Sequence, residues 1–130
     1  MSAPDDARVR ILIVDDEHYI VTELGFYLSK RGFEVLYGDC GETALALLAQ
    51  QGGQTLTHMI VDLRMPQMDG FELISRIDRE QFRELTLIAV SGHASSEDEA
   101  RALNLGADHF LAKPYSLQRL LSIIRGSNTP

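Results

Sequence analysis

Cysteine is almost absent from this chain. Cys40 stands alone among 130 residues, so no intrachain disulfide can form and a reducing, cytoplasmic setting is the expectation. Basic residues are also scarce. Twelve Lys and Arg against nineteen Asp and Glu leave a net charge of −7. That balance argues against direct contact with nucleic acid, whose phosphates require a basic patch. A local basic site or a separate DNA-binding partner stays compatible with it. No apolar run approaches the ~18 residues of a membrane span. Residues 1–8, from Met1 to Arg8, are acidic and polar and lack the apolar centre of a signal peptide. There is no internal repeat, no low-complexity stretch and no glycine-rich nucleotide loop ending in Gly-Lys-Ser/Thr.

What is present suits one soluble domain. Hydrophobic residues make up 45% and charged residues 24%, and the length allows a single core. Residues 9–125 are expected to form it, with 1–8 a disordered lead and 126–130 a tail or linker stub.

The apolar pattern alternates between two periods. Val9–Val14 is a nearly continuous apolar run that halts at Asp15, Asp16 and Glu17, as in a strand covered on both faces. From His18 to Arg31 the residues Ile20, Val21, Leu24, Tyr27 and Leu28 share a helical stripe, and Gly32 follows as a stop. Phe33–Tyr37 reads as a less apolar strand, nearer a sheet edge. Glu42–Gln51 reads as a helix facing inward through Ala44, Leu45, Leu47 and Leu48, ended by Gly52 and Gly53. His58–Leu63 is a third strand, and Phe71–Glu80 a helix with Phe71, Leu73, Ile74 and Ile77 apolar. Leu85–Val90 is a fourth strand. Ser96–Glu99 has capping-box spacing and opens a helix that runs to about Leu105, before Gly106. Asp108–Ala112 is a short fifth strand stopped by Lys113 and Pro114. Ser116–Arg125 is the last helix, with Leu117, Leu120, Leu121 and Ile124 as its core stripe. Ile123 falls off that stripe, which fits a contact for a partner or a second copy of the chain and, equally well, a half-buried helix edge.

Five strands alternating with five helices imply right-handed crossovers and a doubly wound parallel sheet, an α/β fold with helices on both faces. Five strands match the flavodoxin-like order 2-1-3-4-5, whose ligand crevice lies at the carboxyl ends of the strands. Strand 1 ends in Asp15 and Asp16, strand 3 in Asp62, strand 4 in Ser91 and strand 5 in Lys113. Each has an ordinary explanation as a loop residue. The fold sets all five on one rim. Three crowded carboxylates raise each other's pKa values unless a cation intervenes. Oxygen ligands with room for water suit Mg²⁺, with Mn²⁺ an alternative, and a lysine and a hydroxyl opposite suit a phosphoryl group.

This set, with Met65-Pro66 and Met68-Asp69-Gly70 after the central acid, resembles the receiver domain of two-component response regulators, over roughly Val9 to Arg125. The resemblance implies that Asp62 is the phosphoacceptor. Asp15, Asp16, Asp62 and the backbone carbonyl of Arg64 would hold Mg²⁺. Ser91 is similar to the switch hydroxyl, Lys113 to the lysine that pairs with the phosphoryl group, and Phe110 to the aromatic switch residue, with phenylalanine where tyrosine is frequent; a core strand residue is the equal alternative for Phe110. Implied partners are a histidine kinase or histidine phosphotransfer protein. A downstream protein or output domain would meet the face made by the fourth helix, fifth strand and fifth helix, where a homodimer is also conceivable. Arg64 and His93 are expected to flank the phosphoryl group and to set its lifetime. His18, His58 and His109 lack metal-ligand spacing and read as structural.

Two other readings compete. A receiver-like docking module that works without phosphorylation needs none of this chemistry. A phosphatase working through an aspartyl phosphate needs a second acid two residues after the nucleophile, where this chain has Arg64.

Overall fold

The computed structural model describes residues 9–50, 56–93 and 95–126. The expected N-terminal lead, the Gly52-Gly53 stop and all of the C-terminal tail but Gly126 lie outside them. The elements run β1 (Arg10–Val14), α1 (His18–Ser29), β2 (Glu34–Gly38), α2 (Gly41–Ala49), β3 (His58–Asp62), α3 (Gly70–Ser75), β4 (Thr86–Ser91), α4 (Ser96–Leu105), β5 (His109–Ala112) and α5 (Leu117–Ile124). The sheet is parallel throughout, in the order β2-β1-β3-β4-β5. Among the described residues no helix is long and apolar enough to cross a membrane.

Strand alternation divides the core in two. Leu12, Val14, Met59, Val61, Leu87 and Ala89 pack with residues of α2, α3 and α4 on one face. Ile11, Ile13, Ile60, Ile88, Val90 and Leu111 pack with α1 and α5 on the other. A strand that serves two layers has no polar side to show, which is why β1, β3 and β4 read as unbroken apolar runs. Strand β2, at the edge, has four of its five residues half-buried or exposed.

Three local expectations are corrected. Helix α3 ends at Ser75 rather than Glu80, because the Asp78 carboxylate accepts from the backbone N–H groups of Glu80 (3.0 Å) and Gln81 (3.4 Å) and turns the chain. Ile77 is still buried beyond the helix, so the apolar periodicity outruns the helical backbone. The cap of α4 is Ser95, whose hydroxyl accepts from the Asp98 N–H at 3.0 Å, not Ser96. Glu97, Asp98 and Glu99 do occupy the first turn, and Gly106 closes the helix at a φ of 128° that an L side chain rarely adopts. In α5 the helix is rotated from the expected stripe. Leu120, Ile123 and Ile124 face the sheet, and Leu117 is the exposed one. Ile123 is therefore a core residue and offers nothing to a partner.

Candidate functional site

Sheet register assembles the site. Val14 lies beside Val61 and Asp62 beside Val90, while Ser91 lies beside Ala112. The residues that end β1, β3, β4 and β5 therefore stand in a row along one edge. Asp15 and Asp62 are each only 5% exposed, Ser91 is fully buried, and Asp16 is open to solvent. The carboxylate oxygens of Asp15, Asp16 and Asp62 come within 4.8 Å of one another. Lys113 reaches across from the end of β5, its Nζ 3.2 Å from Asp15 Oδ2 and 3.6 Å from Asp62 Oδ1. Each acid also accepts from a backbone N–H two residues on, Asp15 from Glu17 at 2.9 Å and Asp62 from Arg64 at 3.3 Å.

These contacts do not fully offset the crowding. Burial, and then the neighbouring Asp15 charge, push the Asp62 carboxyl up to about 6, against the pull of Lys113 and the Arg64 N–H. A cluster of three acids with one ammonium, which reaches two of them, has an unmet demand for positive charge. All-oxygen donors with one side open to water fit a hard divalent cation.

The backbone around Asp62 is closely packed. A Cβ on Gly70 would stand 2.5 Å from the Asp62 carbonyl oxygen and 2.6 Å from Leu63 Cα, so only glycine lets the start of α3 lie against the end of β3. The Gly70 N–H donates to the Leu63 carbonyl at 3.1 Å. At the other end of the row, the Lys113 N–H donates to the Ser91 carbonyl at 2.8 Å, and the Lys113–Pro114 peptide is cis.

Other residues singled out in the sequence are placed as follows. The Ser91 hydroxyl turns into its own loop, accepting from the His93 N–H at 3.1 Å and donating to the His93 carbonyl at 3.3 Å. The His93 side chain is exposed. The Arg64 guanidinium pairs with Asp98 of α4. Phe110, half-buried, packs on the α2–α3–α4 layer beside Ala89. His58 is buried, its Nδ1 2.8 Å from the Thr57 hydroxyl. Two residues of the neighbourhood escaped sequence reasoning. Tyr115, two positions after Lys113, is half-buried and close enough to Asp15 and Asp62 that burial first and then their charges raise its phenol. Asp98 carries no local signal at all, since its partner is 34 residues away.

Residues 11–125 match the response regulator receiver domain family, and the chain belongs to it. It is thus a receiver domain of two-component response regulators, a phosphoacceptor signalling domain. The chain is 32% identical over 129 residues to a probable transcriptional regulatory protein of Picosynechococcus sp., covering 96% of this chain and 51% of that one. A response regulator receiver protein from Pseudomonas putida superposes with a TM-score of 0.83 at 34% identity, over 92% of this chain and 97% of that one. A Burkholderia pseudomallei response regulator, solved with a phosphorylated aspartic acid, calcium ion and citrate, gives 0.79 at 26% identity, over 89% and 66%. The chain spans about half the length of the curated relatives it matches.

Proposed function

We propose that the domain is a switch set by phosphorylation of Asp62, with a histidine kinase or histidine phosphotransfer protein as donor. The observation that carries this reading is the position of Asp62: a buried carboxylate held between a second acid and the Lys113 amine, with Asp16 beside it. The Asp62 oxygen attacks the phosphohistidine phosphorus in line. An O–P bond forms, the P–N bond breaks, and the imidazole leaves with the N–P electron pair. Positioning and charge do most of the work in such a transfer. Asp15, Asp16, Asp62 and the Arg64 carbonyl would hold Mg²⁺, with Mn²⁺ an alternative; bound there, it neutralises and orients phosphoryl oxygens.

The chain's own groups do the rest. Lys113, already shared by two carboxylates, turns its ammonium to the incoming anion. The Ser91 hydroxyl exchanges the His93 carbonyl for a phosphoryl oxygen, which draws the loop between β4 and α4 toward Asp62. Phe110, packed against that layer, follows. The face made by α4, β5 and α5 is thereby repacked for a downstream partner or output domain. Arg64 stands where hydrolytic turnover would require an acid, so the group keeps the phosphoryl as a signal. Incubation with Mg²⁺ and a small phosphodonor, followed by intact mass measurement, tests the reading. A gain of one phosphoryl group, lost in Asp62→Asn, supports it; no gain in the wild-type chain overturns it.

A further inference from the structure

Arg64 stands at a junction between the acid pocket and α4. Its backbone N–H donates to Asp62, while its guanidinium pairs with Asp98 in the first turn of α4 and lies 5.7 Å from the centre of the Phe71 ring. The Asp98 side chain is 13% exposed and that of Arg64 52%, so the anion is the fixed partner and the cation the movable one. A carboxylate so far from water needs a counter-charge. The Ser95 cap orients the Asp98 backbone, and the helix N-terminus supplies only a partial charge. A residue whose backbone already touches Asp62 has its side chain within reach of a group joined to that carboxylate. A phosphoryl group there carries about −1.5 to −2 charge and three acceptor oxygens, and it accepts a guanidinium fork in bidentate fashion.

We propose that Arg64 is a shared cation: Asp98 holds it while Asp62 is bare, and the phosphoryl group on Asp62 competes for it, releasing the first turn of α4 from the loop between β3 and α3. The inference rests on Asp62 being the phosphoacceptor. In the phosphorylated state Arg64 touches the phosphoryl group. Asp98 acts only through Arg64 and is a positioning residue. Its loss of Arg64 leaves it between Glu97 and Glu99 in one acidic turn. Arg101, one turn along and 4.1 Å from the same Phe71 ring, is the cation on α4 best placed to take it over. Departure of Arg64 therefore changes which residues α4 pairs with, and couples the acid pocket to that helix by a route separate from Ser91.

Titration with beryllium fluoride and Mg²⁺, a phosphoryl mimic on a carboxylate, followed by ¹H–¹⁵N NMR, decides the matter, with Asp62→Asn as the blank. Asp98→Asn frees Arg64 and is expected to tighten binding roughly two- to fivefold, the range that a partly exposed ion pair supplies. Arg64→Ala weakens binding by a similar factor, and adding Asp98→Asn to it changes nothing further. Equal affinity in wild type and Asp98→Asn overturns the proposal, as does tightening that persists in the Arg64→Ala background. Should Asp98→Asn fail to fold, Arg64→Ala alone decides, since unchanged binding there overturns the idea. A wild-type chain that binds no beryllium fluoride overturns the phosphoacceptor reading itself, a result distinct from either of the others.

Discussion

Lys113 Nζ lies 3.2 Å from Asp15 and 3.6 Å from Asp62, so a single ammonium serves two carboxylates that are each 5% exposed. Those acids end the two central strands, and the lysine ends an edge strand. Lys113→Ala is expected to push the Asp62 carboxyl further above about 6 and to slow phosphorylation from a small donor by on the order of a hundredfold. Timed intact-mass measurements would show this, and an unchanged rate would remove Lys113 from the mechanism.

Asp62 itself burdens the fold. Its carboxyl is held up to about 6, so the folded state binds its proton more tightly than the unfolded state does. Stability is accordingly lost as pH rises from about 4 through 6, and the penalty is complete at neutrality. Asp62→Asn in metal-free buffer should raise the unfolding free energy at pH 7 by on the order of 1–3 kcal/mol. The gain should shrink toward zero below about pH 4, where the wild-type carboxyl is neutral in both states. Urea melts at the two pH values would check it.

His58 works in the opposite direction. Burial holds its imidazole below the ordinary 6.5, against a hydrogen bond to the Ile124 backbone and with help from the nearby His109 charge. Its contribution is present above about pH 6.5 and is lost as pH falls from there, because the unfolded chain takes the proton first. Measured in the Asp62→Asn background, which removes the opposing trend, stability should decline below that pH in the parent and stay flatter in His58→Gln.

The acid cluster should respond to metal. Mg²⁺ is expected to raise the melting temperature by mass action on the folded state, and Asp15→Asn or Asp16→Asn should diminish the rise. A melting curve indifferent to Mg²⁺ would count against the cation site.

At Gly70 the added methyl of alanine would meet main-chain atoms 2.5 and 2.6 Å away, which cannot swing aside like a side chain. Gly70→Ala should cost about 1–3 kcal/mol by overpacking. Because the displaced atoms belong to Asp62 and Leu63, phosphorylation should fall as well. A variant of wild-type stability and rate would show that the loop relaxes freely.

The sheet order and the acid row were legible because each central strand is an unbroken apolar run that stops at a polar side chain. Buried strands leave few other places for polarity, so Asp15, Asp62, Ser91 and Lys113 stood out. Less visible was anything set by a turn or a rotation. Ile77 continues the apolar rhythm of α3 past a backbone that Asp78 has already bent. Leu117 and Ile123 both fit a helical face, and only the seating of α5 on the sheet decides between them. Ser95 and Ser96 are equivalent as letters, although one of them caps. The Arg64–Asp98 pair joins the loop after β3 to the first turn of α4 across 34 residues and leaves no periodic trace.

Strand β5 is the shortest of the five, four residues long, and has a neighbour on one side only. Helices α4 and α5 meet it from opposite layers, so the proposed output face folds around the sheet's thinnest margin. Displacing that margin breaks fewer ladder hydrogen bonds than moving any interior strand would. On the proposed reading, a modest chemical event at Asp62, on the central strand, would find its mechanical reply at the margin held by the fewest ladder bonds, while the interior strands hold the acids in register.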